Sequence, residues 1–348
     1  MGIESGDNST NTMIAGDVNI SGITYSEARQ IALDVFKSNF YELAQVARSI
    51  AENRAEEITN KLIDRLYAEL PQHINKLNTP AVQYSIFNIQ KEYAKTGDEN
   101  LQDKLLDLFA KRISAEERSL EQITLDEAIE VLPKLTQDQI NALTLIFSVI
   151  YCRHRNIVNK DSFNYLINDK MALFTPQVNT SYSFYAHLQY VGCCTILPVG
   201  GKFKKISEIF SSRYFVFFSK GFSMSQFNDE FKDDAKRVRL LLLRCFNAPQ
   251  LYQFNYLTLD ELDAAISKNN LNDLKSKIKA FAKKIQMNDA EITQYLSSIS
   301  DNMSRLISLW GQPNSDISCI KPTSVGFAIA IVNYNIVTGE NVHISTFV

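Results

Sequence analysis

Residues 5–22 read SGDNSTNTMIAGDVNISG and lead directly into a helical pattern that continues to Leu70. The dipeptide Gly6-Asp7 recurs as Gly16-Asp17, so this head is a degenerate two-unit repeat. Gly, Asp and Asn favour turns, because Gly permits positive φ and the other two bond their own backbone. So short a segment cannot bury a β core of its own. The head therefore either has no fixed structure, or pairs with copies of itself or with a neighbouring surface.

Between the two turns, Val18 and Ile20 alternate with polar neighbours, as residues of a short strand do. We predict a β head at residues 1–23 through which copies of the chain associate. A tail without fixed structure is the alternative. The residues assigned to oligomerisation are Gly6, Asp7, Asn8, Gly16, Asp17, Val18, Ile20, Ile31 and Val35.

The segment after the head predicts one long amphipathic helix at residues 24–71. Thr24 and Glu27 have the spacing of a capping box, apolar residues recur at three-four spacing, and Pro71 ends the pattern. An unbroken helix of this length would span roughly 70 Å. Only alanine continues the stripe over residues 52–57, where a break can occur. A rigid helix behind a strand-forming head indicates an assembly element, and a long core helix of a monomer is the alternative.

The rest of the chain predicts two further helical domains, at residues 72–156 and 157–348. Frequent helix caps indicate helices joined by short turns. Capping-box spacings begin at Ser114, Thr124, Thr136 and Thr258. The second domain has an aromatic-rich middle, in which residues 214–218 suit either a strand or a buried helical turn. Residues 182–196 and 288–311 each suit one helix.

The end of the chain carries two clear signals. Thr323 to Thr338 is apolar and rich in small residues, and Gly339 follows as a C-cap, so we predict a helix there. His343 to Val348 alternates as a final short strand. The predicted fold class is therefore mainly α: a helical array with one long N-terminal helix, a short N-terminal β head and a small C-terminal β strand.

Composition sets the broad class. The formal net charge of −3 creates no field that would attract nucleic acid, which we do not expect as a partner. The five cysteines are scattered, which predicts reduced thiols in a cytosolic protein. Tyr182 to Val199 is the best candidate for a membrane span, but its polar residues favour a buried helical hairpin. Membrane contact stays open as an alternative.

No motif predicts a catalytic, cofactor or metal site. Cys152 and His154 are two residues apart, which on a helix directs them to different sides. The four histidines are isolated, whereas a metal site needs paired ligands. The acidic pair Asp233-Asp234 beside Lys236 resembles part of a nuclease site, but a surface position is the simpler interpretation.

Three stretches resemble a family of uncharacterised bacterial proteins. They are GDNSTN with NISGITYSEARQIALDVFKSNF, EYAKTGDENLQDKLLDLFAKR with LDEAIEVLPKLT, and PTSVGFAIAIVNYNIVTG. The last stretch also resembles the C-terminal pattern of the alpha-type abortive-infection proteins. The resemblance implies a bacterial cytosolic protein carried among genes for defence against phage, and it carries over no catalytic residues. One departure is that residues 341–344 are less acidic than the family pattern.

Three functions follow as hypotheses. The first is a non-enzymatic protein that self-assembles through the head and binds a phage or host protein in antiviral defence. The second is an enzyme, such as a nuclease or a nucleotide-processing toxin, with a site in the aromatic-rich middle. The third is an effector that perturbs membranes through residues 182–199 and 143–151.

Overall fold

The computed structural model describes residues 24–38, 45–154, 156–175, 181–197, 204–311 and 316–347. These residues contain sixteen α-helices and four short strands, which confirms the predicted mainly α fold class. The predicted β head at residues 1–23 lies outside them. The chain divides into two compact units, Met1–Asp98 and Glu99–Val348. This division falls inside the segment 72–156, which the sequence assigns to a single domain.

The N-terminal unit is built from three helices that pack on one another: α1 Tyr25–Ser38, α2 Gln45–Glu69 and α3 Pro80–Thr96, with a 3₁₀ helix at Pro71–Asn78. The predicted capping box at the start of α1 is confirmed. The Thr24 amide donates to Glu27 Oε2 at 2.9 Å, and the Glu27 amide donates to Thr24 Oγ1 at 3.3 Å. Both bonds satisfy amides that the helix itself leaves without a partner.

The prediction of one continuous helix over residues 24–71 is wrong. The rings of Tyr25 and Tyr67 lie 5.6 Å apart, whereas a continuous helix would separate these residues by roughly 63 Å. The apolar stripe is in fact two stripes that face each other, because α1 and α2 pack side by side. Phe36 of α1 joins Ala51 and Ala55 of α2 and Ala94 of α3 in a small core. α1 and α2 are separate helices, and residues 52–57 are uninterrupted helix within α2.

The C-terminal unit holds thirteen described helices and all four described strands. The helices are α4 Glu99–Ser114, α5 Leu120–Val131, α6 Gln137–Ile146, α7 Lys160–Tyr165, α8 Tyr182–Tyr190, α9 Ile206–Arg213, α10 Met224–Phe231, α11 Ala235–Val238, α12 Leu259–Lys268, α13 Lys275–Lys284, α14 Asp289–Ser297, α15 Asp301–Gly311 and α16 Ser324–Thr338. The strands are β1 Cys194–Ile196, β2 Leu242–Arg244, β3 Tyr252–Phe254 and β4 Ile320–Pro322, paired antiparallel as β1 with β4 and β2 with β3.

Helix α16 is the centre of this unit and packs on α4, α5 and α6. A helix that is apolar on every side is stable only when it is buried, and residues 326–334 of α16 are all buried. Its polar Asn333 is fully buried but satisfied, because Nδ2 donates to Thr144 Oγ1 at 2.9 Å. The predicted helix and its Gly339 C-cap, at φ 69°, are confirmed.

Residues 219–286 form an insert within this unit. The chain enters and leaves at one place, where Ser219 and Gln286 form an antiparallel bridge. The Lys220 amide donates to the Ile285 carbonyl at 2.8 Å beside it. The insert buries an apolar cluster that includes Phe222, Phe227, Phe231, Phe254 and Phe281, and Phe215, which precedes the insert, joins this cluster. We call the remaining described residues of the C-terminal unit the array.

Several local predictions differ from the structure. The predicted final strand is wrong, because Ile344–Thr346 is a 3₁₀ helix with Ile344 buried. Of the two alternatives left open for residues 214–218, the structure has the buried helical turn, as a 3₁₀ turn at Phe215–Phe218. The segment 182–196 ends as strand β1 instead of continuing as a helix, and 288–311 divides into α14 and α15.

Two of the five predicted capping boxes, those at Ser114 and Thr124, are misplaced. Ser114 is the last residue of α4, Thr124 is buried in the middle of α5, and the cap of α5 is Ser119. A side chain can cap a helix only where tertiary packing allows the helix to start, and the spacing alone does not reveal that place. Thr136 and Thr258 do cap α6 and α12.

Candidate functional site

A cavity of about 630 Å³ opens between the array and the insert. Its charged and titratable lining side chains are Arg153, His154, Lys204, Arg213 and Tyr214 from the array and Asp260 and Glu261 from the insert. We call it the Arg153 cavity. A second cavity of about 390 Å³ shares Arg153 and His154 with it. Both volumes lie within the range of about 300–1,000 Å³ that is usual for small-molecule sites.

Two π-helical segments border these cavities. Phe147–Tyr151 extends α6 as a π helix, and Leu166–Met171 extends α7 in the same way. The first leads directly to Arg153 and His154, and the second carries lining residues of the smaller cavity. π-Helical turns are rare and occur frequently at functional sites. Their presence on both sides of Arg153 therefore marks this part of the fold as a candidate site.

Arg213, the last residue of α9, holds the end of the first π helix. Its Nη1 donates to the main-chain oxygens of Val149 at 2.6 Å and Cys152 at 3.2 Å, and its Nη2 donates to that of Ile150. Burial lowers the pKa of Arg213, but an arginine remains charged at neutral pH. Within the described chain, no carboxylate pairs with this guanidinium. Three carbonyl dipoles stabilise this positive charge, but no opposite charge in the described chain neutralises it.

Arg153 and Lys204 add two more cations to the array side of the cavity. Both side chains are exposed, and among the residues that the structure describes neither forms an ion pair. The charge of Arg153 also contributes to lowering the pKa of Arg213, after the larger effect of burial. The two guanidinium groups are thus close enough to repel each other. An anion placed between them would relieve that repulsion.

His154 lies against the central helix. Its Nε2 is 3.1 Å from the hydroxyl of Tyr334. Burial lowers the pKa of His154, so the ring is neutral at pH 7. Burial also raises the pKa of Tyr334, which therefore stays protonated and can donate to Nε2. In that arrangement the proton of the imidazole is on Nδ1, which makes His154 a neutral hydrogen-bond donor.

Lys170 and Glu340 are paired in the smaller cavity, with Nζ and Oε1 3.0 Å apart. Burial alone would lower the pKa of Lys170, but the hydrogen bond and attraction of Glu340 raise it above its ordinary value. Nζ also donates to the main-chain oxygen of Thr338. This pair is neutral as a whole, so the free positive charge is on the side of the Arg153 cavity.

The insert side of the Arg153 cavity is the start of α12. Thr258 caps the helix by accepting from the Glu261 amide at 3.1 Å, and Glu261 Oε2 accepts from the Leu257 amide at 3.1 Å. Asp260 is exposed, and its carboxylate has no partner in the described part of the chain. The cavity therefore has a cationic side and an acidic side.

The residues predicted to mediate oligomerisation fall in two groups. Gly6, Asp7, Asn8, Gly16, Asp17, Val18 and Ile20 lie outside the described residues. Ile31 and Val35 are half-buried on α1 and line a shallow apolar recess with Leu77 and Ile86. The N-terminal unit thus brings Ile31 and Val35 together on one apolar surface.

The other sequence candidates lie apart from the cavity or are unreactive. Burial raises the pKa of the Cys152 thiol to about 12, so it is not a thiolate nucleophile. Asp234 pairs with Arg237 at 3.0 Å on the surface of the insert. Over the described ranges, His, Cys, Asp and Glu side chains nowhere form a group of three that could hold a metal ion. None of the helices in those ranges is long and apolar enough to cross a bilayer.

Sequence reasoning missed the residues that line the Arg153 cavity. Arg153, Lys204, Arg213 and Asp260 are spread over more than a hundred positions and belong to no motif. One signal was present: Arg213 follows the apolar face of α9 and precedes the aromatic run 214–218. A charge at such a position is usually buried against a specific partner, which here is the set of carbonyls that end the π helix.

One protein-family model matches residues 22–348. Its description reads only ":-like", and the family is uncharacterised. The match covers every described residue and excludes most of the head. It agrees with the predicted resemblance to an uncharacterised family, whereas the resemblance to abortive-infection proteins stays a prediction. No curated protein and no solved structure matches the chain.

Proposed function

The chain belongs to this uncharacterised family, and we propose that its C-terminal unit is a non-enzymatic binding module for a phosphate-bearing small molecule. The observation that carries the proposal is the set of three cations, Arg153, Lys204 and Arg213, on one side of the Arg153 cavity. None of them has a carboxylate partner within the described residues. Uncompensated cations at a cavity of ligand size favour an anionic ligand.

Phosphate is the anion that best fits these groups. A guanidinium presents paired N–H donors that match two phosphate oxygens, and such charge-assisted bonds are about twice as strong as neutral ones. Arg213 is already fixed by main-chain carbonyls, so it supplies a preorganised charge. Arg153 is exposed and free to turn toward the ligand. Preorganisation of Arg213 reduces the entropic cost of binding, whereas the ordering of Arg153 adds to that cost.

The test is calorimetric titration of the full-length protein with a panel of nucleoside monophosphates and with inorganic phosphate. Arg153→Gln should weaken binding of any phosphate ligand by about tenfold or more, since one charge-assisted bond is lost. Arg239→Gln, which removes an exposed arginine that does not line the cavity, is the matched control. Equal affinity of the two variants, or no binding by the wild-type protein, would refute the proposal.

We further propose that the N-terminal unit mediates self-association. The supporting observation is the apolar recess lined by Ile31 and Val35, which lies on the helix that directly follows the head. The occupant we propose is the alternating segment around Val18 and Ile20 of a second copy. The recess itself holds only about 10 Å³, so Val18 and Ile20 would pack over its apolar rim rather than enter it, and the apolar area covered there would favour association.

Light-scattering mass measurement tests this second proposal. The intact chain should be oligomeric, and both a variant lacking residues 1–23 and Ile31→Asp should be smaller. Val46→Asp is the matched control, because Val46 is 75% exposed on α2 and lies outside the recess. Circular dichroism establishes that each variant is folded. A monomeric intact chain, or the same mass for all four proteins, would exclude self-association through the head.

The setting that we propose for both activities is the bacterial cytosol and defence against phage, with a phage or host protein as a further partner. Plaque counts on cells that express the intact chain, the head deletion or Arg153→Gln would test this setting. Protection by the intact chain and loss of protection in both variants is the expected result. Equal plaque counts with and without the intact chain would remove the defence role.

A further inference from the structure

We infer that the ligand of the Arg153 cavity is a ribonucleotide, with its phosphate on the cations of the array and its ribose hydroxyls on Asp260 of the insert, beside Glu261. This inference rests on the proposed phosphate site and adds the chemical class of the rest of the ligand. It follows from the acidic side of the cavity, which the phosphate alone does not explain.

An ionised carboxylate only accepts hydrogen bonds, so a ligand that contacts the acidic side must offer donors to it. Asp260 has no partner within the described residues. Glu261 uses Oε2 for the Leu257 amide at 3.1 Å, which leaves Oε1 for a ligand. A free phosphate would be repelled here. A ligand with an anionic end and a hydroxyl-bearing end satisfies both sides of the cavity at once.

Adjacent hydroxyls are donors that the two oxygens of one carboxylate can match. In dinucleotide-binding folds a single Asp or Glu near the phosphate site holds the ribose 2′-hydroxyl. Consecutive residues of a helix point to different sides, so a single carboxylate in the first turn of α12 receives both ribose hydroxyls. Asp260 is the better candidate, because Glu261 bonds the Leu257 amide. The cap formed by Thr258 fixes this turn. The acceptors are therefore positioned before the ligand arrives.

A second observation points independently to a ligand. Tyr214 lines the cavity and is only 2% exposed, but its hydroxyl makes no hydrogen bond of ordinary geometry, although it lies near the main chain of His154. A buried hydroxyl without a partner is costly unless a water or a ligand satisfies it. Ile150, Ile209 and Leu257 give the same cavity an apolar surface. That surface suits a nucleobase better than a second charged group.

The experiment compares ribonucleotides with their 2′-deoxy counterparts. Wild-type protein should bind the preferred nucleoside 5′-monophosphate about tenfold more tightly than the 2′-deoxy form, because one hydrogen bond to a charged acceptor is lost. Asp260→Asn combined with Glu261→Gln should abolish this ratio, because it weakens the ribose form, with two hydroxyls, more than the deoxy form, which keeps only the 3′-hydroxyl. Gln still accepts from the Leu257 amide, so the helix start is preserved. Arg153→Gln should weaken both ligands equally.

The outcomes separate this inference from the proposal beneath it. If the ribonucleotide and its 2′-deoxy form bind equally, while Arg153→Gln still weakens both, the ribonucleotide inference is wrong and the phosphate site stands. Failure of every phosphate ligand to bind removes the phosphate site and this inference with it. Titration with Mg²⁺ alone tests whether the two carboxylates bind a cation instead. Mg²⁺ binding that the double variant abolishes would assign the acidic side to a cation and overturn the inference.

Discussion

Replacement of Gly326 by alanine should destabilise the C-terminal unit. An added Cβ would lie 1.9 Å from the carbonyl oxygen of Cys193, and real Cβ contacts are essentially never below 3.0 Å. Helix α16 and the main chain at Cys193, which directly precedes strand β1, would therefore have to separate by about 1 Å or more. The obstacle is main chain rather than a flexible side chain, so a rotamer change cannot relieve it.

The magnitude follows from the bonds that hold this contact together. The Thr323 amide donates to the same Cys193 carbonyl at 3.0 Å, and Thr323 Oγ1 donates to the Gly192 carbonyl at 2.6 Å. Overpacking costs about 1–3 kcal/mol, and loss of one or both bonds adds about 1 kcal/mol each. The better helix propensity of alanine offsets about 1 kcal/mol. The free energy of unfolding should therefore fall by about 1–4 kcal/mol. We expect a value in the upper half of this range, because the atom that the new Cβ meets belongs to the main chain.

Urea unfolding monitored by tryptophan fluorescence and circular dichroism measures this loss. The chain has one tryptophan, Trp310, whose Nε1 donates to the Lys204 carbonyl at 3.1 Å, so the signal reports the C-terminal unit. Gly311→Ala is the matched control. Gly311 is also helical, but an added Cβ there meets nothing within 4 Å. If both variants have the same free energy of unfolding within about 0.5 kcal/mol, the packing argument is wrong.

Three further predictions concern the C-terminal unit and use the same signal. Burial lowers the pKa of His154 below its ordinary 6.5. The unfolded chain therefore binds a proton at this residue more readily than the folded chain does, and the free energy of unfolding falls as the pH drops through 6.5. His154→Gln should flatten that fall down to about pH 5; an unchanged profile would show that the imidazole is not buried. Arg213→Met should cost about 2–4 kcal/mol, because several carbonyls lose a charged donor, and a loss below about 1 kcal/mol would contradict the contacts described. Excision of residues 219–286 with a short Gly-Ser linker should leave a cooperatively unfolding array, since the insert enters and leaves at paired residues; loss of the cooperative transition would show that the insert is not separable.

Local chemistry made some elements predictable. The capping box of Thr24 and Glu27, the caps at Thr136 and Thr258, and the helix that ends at Gly339 all depend on residues within four positions of one another. In each case a side chain or a glycine satisfies the ends of the helix beside it. The sequence carries such information without knowledge of the fold.

The N-terminal hairpin shows where this information ends. An apolar stripe at three-four spacing indicates a buried helix face, but it does not say whether one long face or two facing ones is buried. The contact of Tyr25 with Tyr67 shows that there are two facing stripes, on α1 and on α2, rather than one long face. Likewise, the run 214–218 is apolar enough for a strand, and only its packing against Phe163 and Phe246 makes it a buried 3₁₀ turn.

The sequence by itself determined the mainly α class, the ends of several helices and the lack of a recognisable catalytic motif, because these depend on composition and on near neighbours. Only the tertiary structure brought Arg153, Arg213 and Asp260 to one cavity. These residues share no spacing, since they are positioned by a π-helical turn, by the end of α9 and by the start of α12. A site assembled from separate elements depends on how those elements pack. The packing energy is distributed over the whole core, so no single segment of the sequence determines it.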